Sequence, residues 1–73
     1  MELEKETIIT LENKERYIIT NITFYGGIKY ALAQKEGTKE KIVLAEIFEQ
    51  GELYVENVND PELNNILLRI LDF

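Results

Sequence analysis

Apolar positions follow a period of two over most of this chain and switch to a helical period near its C-terminal end. Thr7 to Leu11 (Thr-Ile-Ile-Thr-Leu) is short and β-branched and predicts a strand. Glu12-Asn13-Lys14-Glu15 follows as a polar turn, with Asn13 able to take the left-handed conformation. Arg16 to Phe24 predicts a second strand. Ile18, Thr20, Ile22 and Phe24 fall on one face, and Tyr17, Ile19, Asn21 and Thr23 on the other.

Gly26-Gly27 then interrupts the apolar run, and two registers compete. A two-residue loop sets Phe24 against Lys29 and Asn21 against Leu32, mixing polar and apolar groups on both faces. A three-residue loop, Tyr25-Gly26-Gly27, sets Phe24 against Ile28, Ile22 against Tyr30 and Thr20 against Leu32. That register gathers the large apolar groups on one face, and a slip of one residue would turn them over, so the pattern favours the three-residue loop. Gly27 would supply the left-handed residue of the accompanying bulge.

Gln34 to Glu40 reads as an exposed loop. Lys41 to Phe48 divides into Val43, Ala45 and Ile47 on one side and Ile42, Leu44 and Phe48 on the other, so both faces read as partly buried or one as an interface. Helix competes with strand here, because Leu, Ala and Glu favour it. Gln50-Gly51-Glu52 gives a turn, Leu53 to Val58 a final strand, and the two segments read most simply as a hairpin. Asp60-Pro61-Glu62 is a helix start, with an N-cap carboxylate, Pro at the first helical position and an acid in the first turn. Leu63, Ile66, Leu67, Ile70 and Leu71 then form one apolar stripe, with Leu68 off it. The expected fold is α+β: an antiparallel sheet of four to five strands, a meander of hairpins, with one C-terminal amphipathic helix packed on one face. Residues 7–73 form one domain behind a frayed, solvated start at residues 1–6.

Composition narrows the chemistry. With 73 residues the chain suffices for one small domain, which hides only about 60% of its unfolded surface and leaves little room for a deep substrate cavity. His, Cys, Ser and Trp are all absent. The usual general acid–base, nucleophilic and zinc-ligating side chains are therefore missing, and the expectation is a protein that is not an enzyme and carries no cofactor or metal. The absence of Cys excludes a disulfide framework and points to the cytoplasm. No apolar run reaches the roughly 18 residues of a membrane span, and the acidic start, Met1 to Glu6, does not read as a signal peptide. Fourteen acidic against eight basic side chains leave a net charge of −6. That balance disfavours direct contact with nucleic acid or with anionic membranes and is compatible with a basic partner protein. It equally serves solubility alone.

The candidate surface residues follow from what the pattern leaves unassigned. Glu46, Glu49, Glu52 and Glu56 lie around the last turn without the spacing of a calcium loop, and read as a solvated hairpin end or a patch for a basic partner. Asn59 and Asp60 are explained by turning and capping, whereas Asn64 and Asn65 have no evident local role. Tyr17, Tyr25, Phe48, Tyr54 and Leu68 have no core assignment; converging, they would mark a protein contact. Exposed edge strands offer a second route, by homodimerisation or strand addition.

The order of features has a familiar form: an Ile-Thr-Leu strand, Phe24-x-Gly26-x-x-x-Tyr30-Ala31-Leu32, a strand from Ile42 to Ala45, an acidic turn, then Asn57-x-Asn59-Asp60 and an apolar helix. It resembles the YrzB-like family of small acidic bacterial proteins of unknown function, over about Thr7 to Phe73. Those proteins carry a Gly in the first turn, where this chain has Asn13-Lys14. The resemblance implies a cytosolic bacterial or phage-borne accessory protein and assigns no site. The sequence thus supports a small non-catalytic cytosolic protein-interaction module whose partner is another protein. The alternative is a phage-type, anti-CRISPR-like inhibitor acting by acidic mimicry of nucleic acid.

Overall fold

Five antiparallel strands follow one another in a meander whose spatial order is the chain order: β1 (Ile8–Thr10), β2 (Arg16–Tyr25), β3 (Ile28–Lys35), β4 (Lys41–Glu49) and β5 (Glu52–Asn57). The sheet curls into a half-barrel, and helix α1 (Pro61–Leu71) closes the chain, an α+β fold. The structure, a computed structural model, describes residues 2–72. Segment 41–48, open between strand and helix on sequence grounds, lies in β4.

The β2–β3 hairpin departs from the expected register. Tyr25 pairs with Ile28 and Phe24 with Lys29, so Gly26-Gly27 is a two-residue loop. Both glycines have positive φ, 58° and 79°, as a turn matching the strand twist requires. The bulge lies further back. Ile19 pairs with Ala33 and Asn21 with Leu32, leaving Thr20 as the extra residue, its hydroxyl donating to the Leu32 carbonyl. One extra residue reverses the alternation. Tyr17 and Ile19 before the bulge therefore share a face with Ile22 and Phe24 after it, and the period-two sets expected for β2 are each split. The first turn also differs in detail: Lys14, not Asn13, is left-handed, and the Asn13 side chain accepts from the Glu15 amide.

Two apolar layers result. On the first face Ile9, Tyr17, Ile19, Ala31, Ala33 and Leu44 are buried together with Leu3. On the second, Tyr30, Leu32, Val43, Ala45 and Val58 are buried under Leu67 and Leu71 of α1. Both faces of β4 are thus covered, which explains its poor alternation. Each large side chain taken fully out of water contributes about 2 kcal/mol.

The N-terminal segment is not frayed where it is described. Leu3 is fully buried, its amide donates to the Glu46 carboxylate at 2.8 Å, and the Glu6 amide donates to the Ile19 carbonyl at 2.7 Å. Leu3 thus covers the face that α1 leaves open. Met1, part of the segment expected to fray, lies outside the described residues, as does Phe73.

Helix α1 starts as its sequence dictates: the Asp60 carboxylate accepts from the amides of Glu62 and Leu63, with Pro61 at the first helical position. Its buried stripe is rotated from the expected one. Leu63 and Leu68 pack beside Leu67 and Leu71, while Ile66 is exposed. Asn64 has a local role after all: its side-chain amide donates to the Val58 carbonyl at 3.0 Å and ties the helix to the end of β5.

Candidate protein-binding surface

The two tight turns, Gly26-Gly27 and Gln50-Gly51, lie at the same end of the sheet. Strands that stop there carry apolar side chains past the limit of both covering layers. Phe24 is 70% exposed and Phe48 69%, and Tyr25, Ile28 and Tyr54 are also exposed. A groove of about 400 Å³ runs between the turns, lined by Phe24, Ile28, Lys29, Glu46, Phe48 and Leu53 among others. Phe24, Lys29, Glu46 and Val55 form one row across four strands of the first face, and Phe48 pairs directly with Leu53.

The charge of this end is one-sided. Lys29 is the only cation among residues 24–29 and 46–56. It is already engaged, with its Nζ 3.7 Å from Glu46 and 3.9 Å from Glu2. Glu46 is held between Lys29 and the Leu3 amide, on the floor of the groove. Glu49, Glu52 and Glu56 point to the opposite, second face of the β4–β5 ladder. There they flank Tyr54, whose hydroxyl donates to Glu52 at 2.8 Å. That hydrogen bond, and then burial, holds the Tyr54 hydroxyl above its ordinary pKa.

The nine side chains singled out from the sequence therefore divide. Phe48 lines the groove on the first face and Glu46 its floor. Tyr25, Tyr54, Glu49, Glu52 and Glu56 lie on the second face of the same end. Tyr17 and Leu68 belong to the core instead. Tyr17 is buried through the alternation reversed at Thr20, and Leu68 is half-buried against the second layer through the rotated helix stripe. Phe24 and Ile28, which the three-residue loop would have placed in the core, are exposed. The signal that locates them is the Gly-Gly pair itself, read as a two-residue turn.

The far end of the sheet has the opposite character. Lys35 lies 3.2 Å from Glu15, Arg16 3.4 Å from Glu36, and Lys41 3.1 Å from Asp72. The Tyr17 hydroxyl donates to Glu15, completing a small network. Its hydrogen bonds from Lys35 and Tyr17 hold the Glu15 carboxyl below its usual value. Burial first, then the bond to Glu15, raises Tyr17, and Glu15 raises Lys35.

Among the described residues no group of acidic side chains converges closely enough to hold a metal ion, and no helix is long and apolar enough to cross a membrane. Compared with family models, with curated proteins and with solved structures, the chain matches none.

Proposed function

We propose that the protein is a small non-catalytic interaction module, cytosolic, and that its partner is a protein with a basic surface. The observation that carries this reading is the turn end of the sheet. Large apolar side chains stand exposed on both sides of it, beside carboxylates and with one engaged cation. An apolar patch rimmed by charge is the anatomy of a protein contact, in which the aromatic groups supply most of the affinity and the charges the choice of partner. Mimicry of nucleic acid would want a continuous stripe of unpaired carboxylates. Here Glu2, Glu15, Glu36, Glu46 and Asp72 are tied to cations, and Glu49, Glu52 and Glu56 flank Tyr54. The ordinary interface is therefore the better supported of the two. Kinship with the YrzB-like proteins is compatible with this role and forms part of the proposal.

The test is capture from a lysate of the source cell with the tagged protein and with a Phe24→Ser/Phe48→Ser variant of unchanged melting temperature. A basic protein retained by the first and lost by the second is the expected result. Identical captures, or no stoichiometric partner in either, would overturn the reading.

A further inference from the structure

We infer that the second face of the sheet, at its turn end, seats an amphipathic helix of a partner protein, and that this helix carries Lys or Arg beside its apolar stripe. The inference rests on the reading of the domain as a module for a basic protein and specifies which element of that partner docks, and where.

The apolar row comes first. Tyr25 pairs with Ile28, and Ile47 pairs with Tyr54. One step beyond Lys29↔Glu46, the β3–β4 register brings Ile28 beside Ile47. Tyr25, Ile28, Ile47 and Tyr54 therefore form one row across four strands, on the face that carries α1. Leu63, in the first turn of α1, packs against the layer that holds Tyr30 and Ala45, the next pair inward on this face. The helix leaves the outer row open: Tyr25, Ile28 and Tyr54 are 41%, 37% and 44% exposed, and Ile47 is half-buried. A cavity of about 300 Å³ opens between the start of α1 and this row, lined by Tyr30, Ala45, Ile47, Glu56, Asp60 and Leu63 among others. It has room for one large apolar side chain set beside Leu63.

Direction and charge then select the occupant. The row crosses the strands instead of following an edge. An extended segment laid along it would meet side chains, not backbone, and leave its own N–H and C=O groups unpaired. A helix brings its backbone hydrogen bonds with it, and this face already accepts one in α1. Side chains at i and i+7 of a helix stand about 10 Å apart along its axis. Two strand spacings also span about 10 Å, so one apolar stripe can follow Ile28, Ile47 and Tyr54. Residues 46–62 hold six acidic side chains and no basic one. Glu49, Glu52 and Glu56 share the second face with the row, and Asp60 borders the cavity. Lys29 lies on the first face, engaged with Glu46 and Glu2. Lys or Arg flanking the stripe therefore meets carboxylates and the Tyr54 ring. A second copy fits less well. Face to face, two copies set this acidic stretch against itself, and α1 of a second copy offers one cation, Arg69, against one acid, Glu62.

The experiment titrates the isotope-labelled protein with the capped peptide acetyl-Lys-Leu-Ala-Lys-Lys-Leu-Ala-Lys-Leu-Ala-Lys-Lys-Leu-Lys-amide, whose leucines form one helical stripe. Two peptide controls accompany it: the same residues reordered so that the leucines surround the helix, and a version with Pro in place of the central Ala. The protein controls are Ile28→Ser/Tyr54→Ser and Glu49→Gln/Glu56→Gln. The expected result is saturable binding, helix formation in the peptide by circular dichroism, and intermolecular NMR contacts to the Ile28 and Ile47 methyl groups and the Tyr54 ring. Affinity should fall about fivefold in the Gln variant at low salt, the effect of two exposed charge pairs. The Ser variant and both control peptides should lose saturable binding. Equal binding of the reordered or the Pro peptide would overturn the inference, as would contacts to the Phe24 and Phe48 rings in place of Ile28 and Tyr54. So would a dimer in sedimentation that the Ser variant abolishes, because a second copy would then be the occupant. The peptide decides the helix seat, and lysate capture decides the interaction reading. If the peptide fails while capture still yields a basic partner, the seat is wrong and the reading stands. If capture fails as well, both fall.

Discussion

The two ends of the sheet are built from the same strands and solve opposite problems. At the end of the long loops, charged side chains pair with one another: Glu15 with Lys35, Arg16 with Glu36, Lys41 with Asp72. Tyr17, at that end, is buried. At the end of the tight turns, Phe24 and Phe48 stand in solvent, and Glu49, Glu52 and Glu56 form none of the ion pairs found among the described residues. The first end satisfies its polar groups internally. The second leaves apolar area and negative charge for something else to satisfy. The contrast teaches that acidity alone is a poor guide to function in this chain, because carboxylates are spread along it and only their pairing separates structural from available ones.

That contrast can be broken or sharpened by experiment. Leu67→Ala should produce the largest effect, a loss of about 3 kcal/mol in denaturant unfolding, because it opens a cavity where α1 meets β3 and β4. Gly27→Val should cost about 1–2 kcal/mol. No atom crowds the added side chain, so the penalty is the positive φ of 79°, which a β-branched residue resists. A melting temperature unchanged by this substitution would mean that the turn is not the two-residue one.

The pH dependence of thermal unfolding probes the polar end directly. Glu15, held below its ordinary 4.5, contributes stability that is present above that value and disappears as pH falls through its lowered folded pKa. Tyr17 and Lys35, held above 10.0 and 10.5, contribute stability that is complete below those values and disappears as pH climbs through their folded ones. Glu15→Gln should therefore flatten both limbs of the melting-temperature curve. An acid limb unchanged in that variant would show that the network adds nothing.

Smaller effects are expected at the turn end. Gln50 has a positive φ of 51° ahead of Gly51, so Gln50→Gly should stabilise by about 0.5–1 kcal/mol. Phe48→Ser should change unfolding free energy by no more than about 0.5 kcal/mol, as befits an exposed site. A loss approaching that of Leu67→Ala would place Phe48 in the core and remove the distinction between the two ends.

Local chemistry carries most of the fold. The β-branched runs, the Gly turns and the Asp60-Pro61 helix start each act within a few residues, through propensity and backbone sterics that hold in any context. Strand order, the helix and its cap were accordingly legible in the sequence, as was the exposure of Phe48, Tyr25 and Tyr54. Thr20 marks where that ends. A β-branched residue in a strand gives no local sign that it will be extruded as a bulge, and its extrusion reverses the facing of everything before it. Burial of Tyr17 follows from that bulge, exposure of Phe24 from the two-residue turn, and the division of the acidic residues between two faces from the β4–β5 register. Leu3 likewise looks like part of a polar tail until the uncovered face of the sheet offers it a place. Propensity and capping belong to the chain alone; register and burial depend on which partner each residue meets, and only the assembled sheet supplies one.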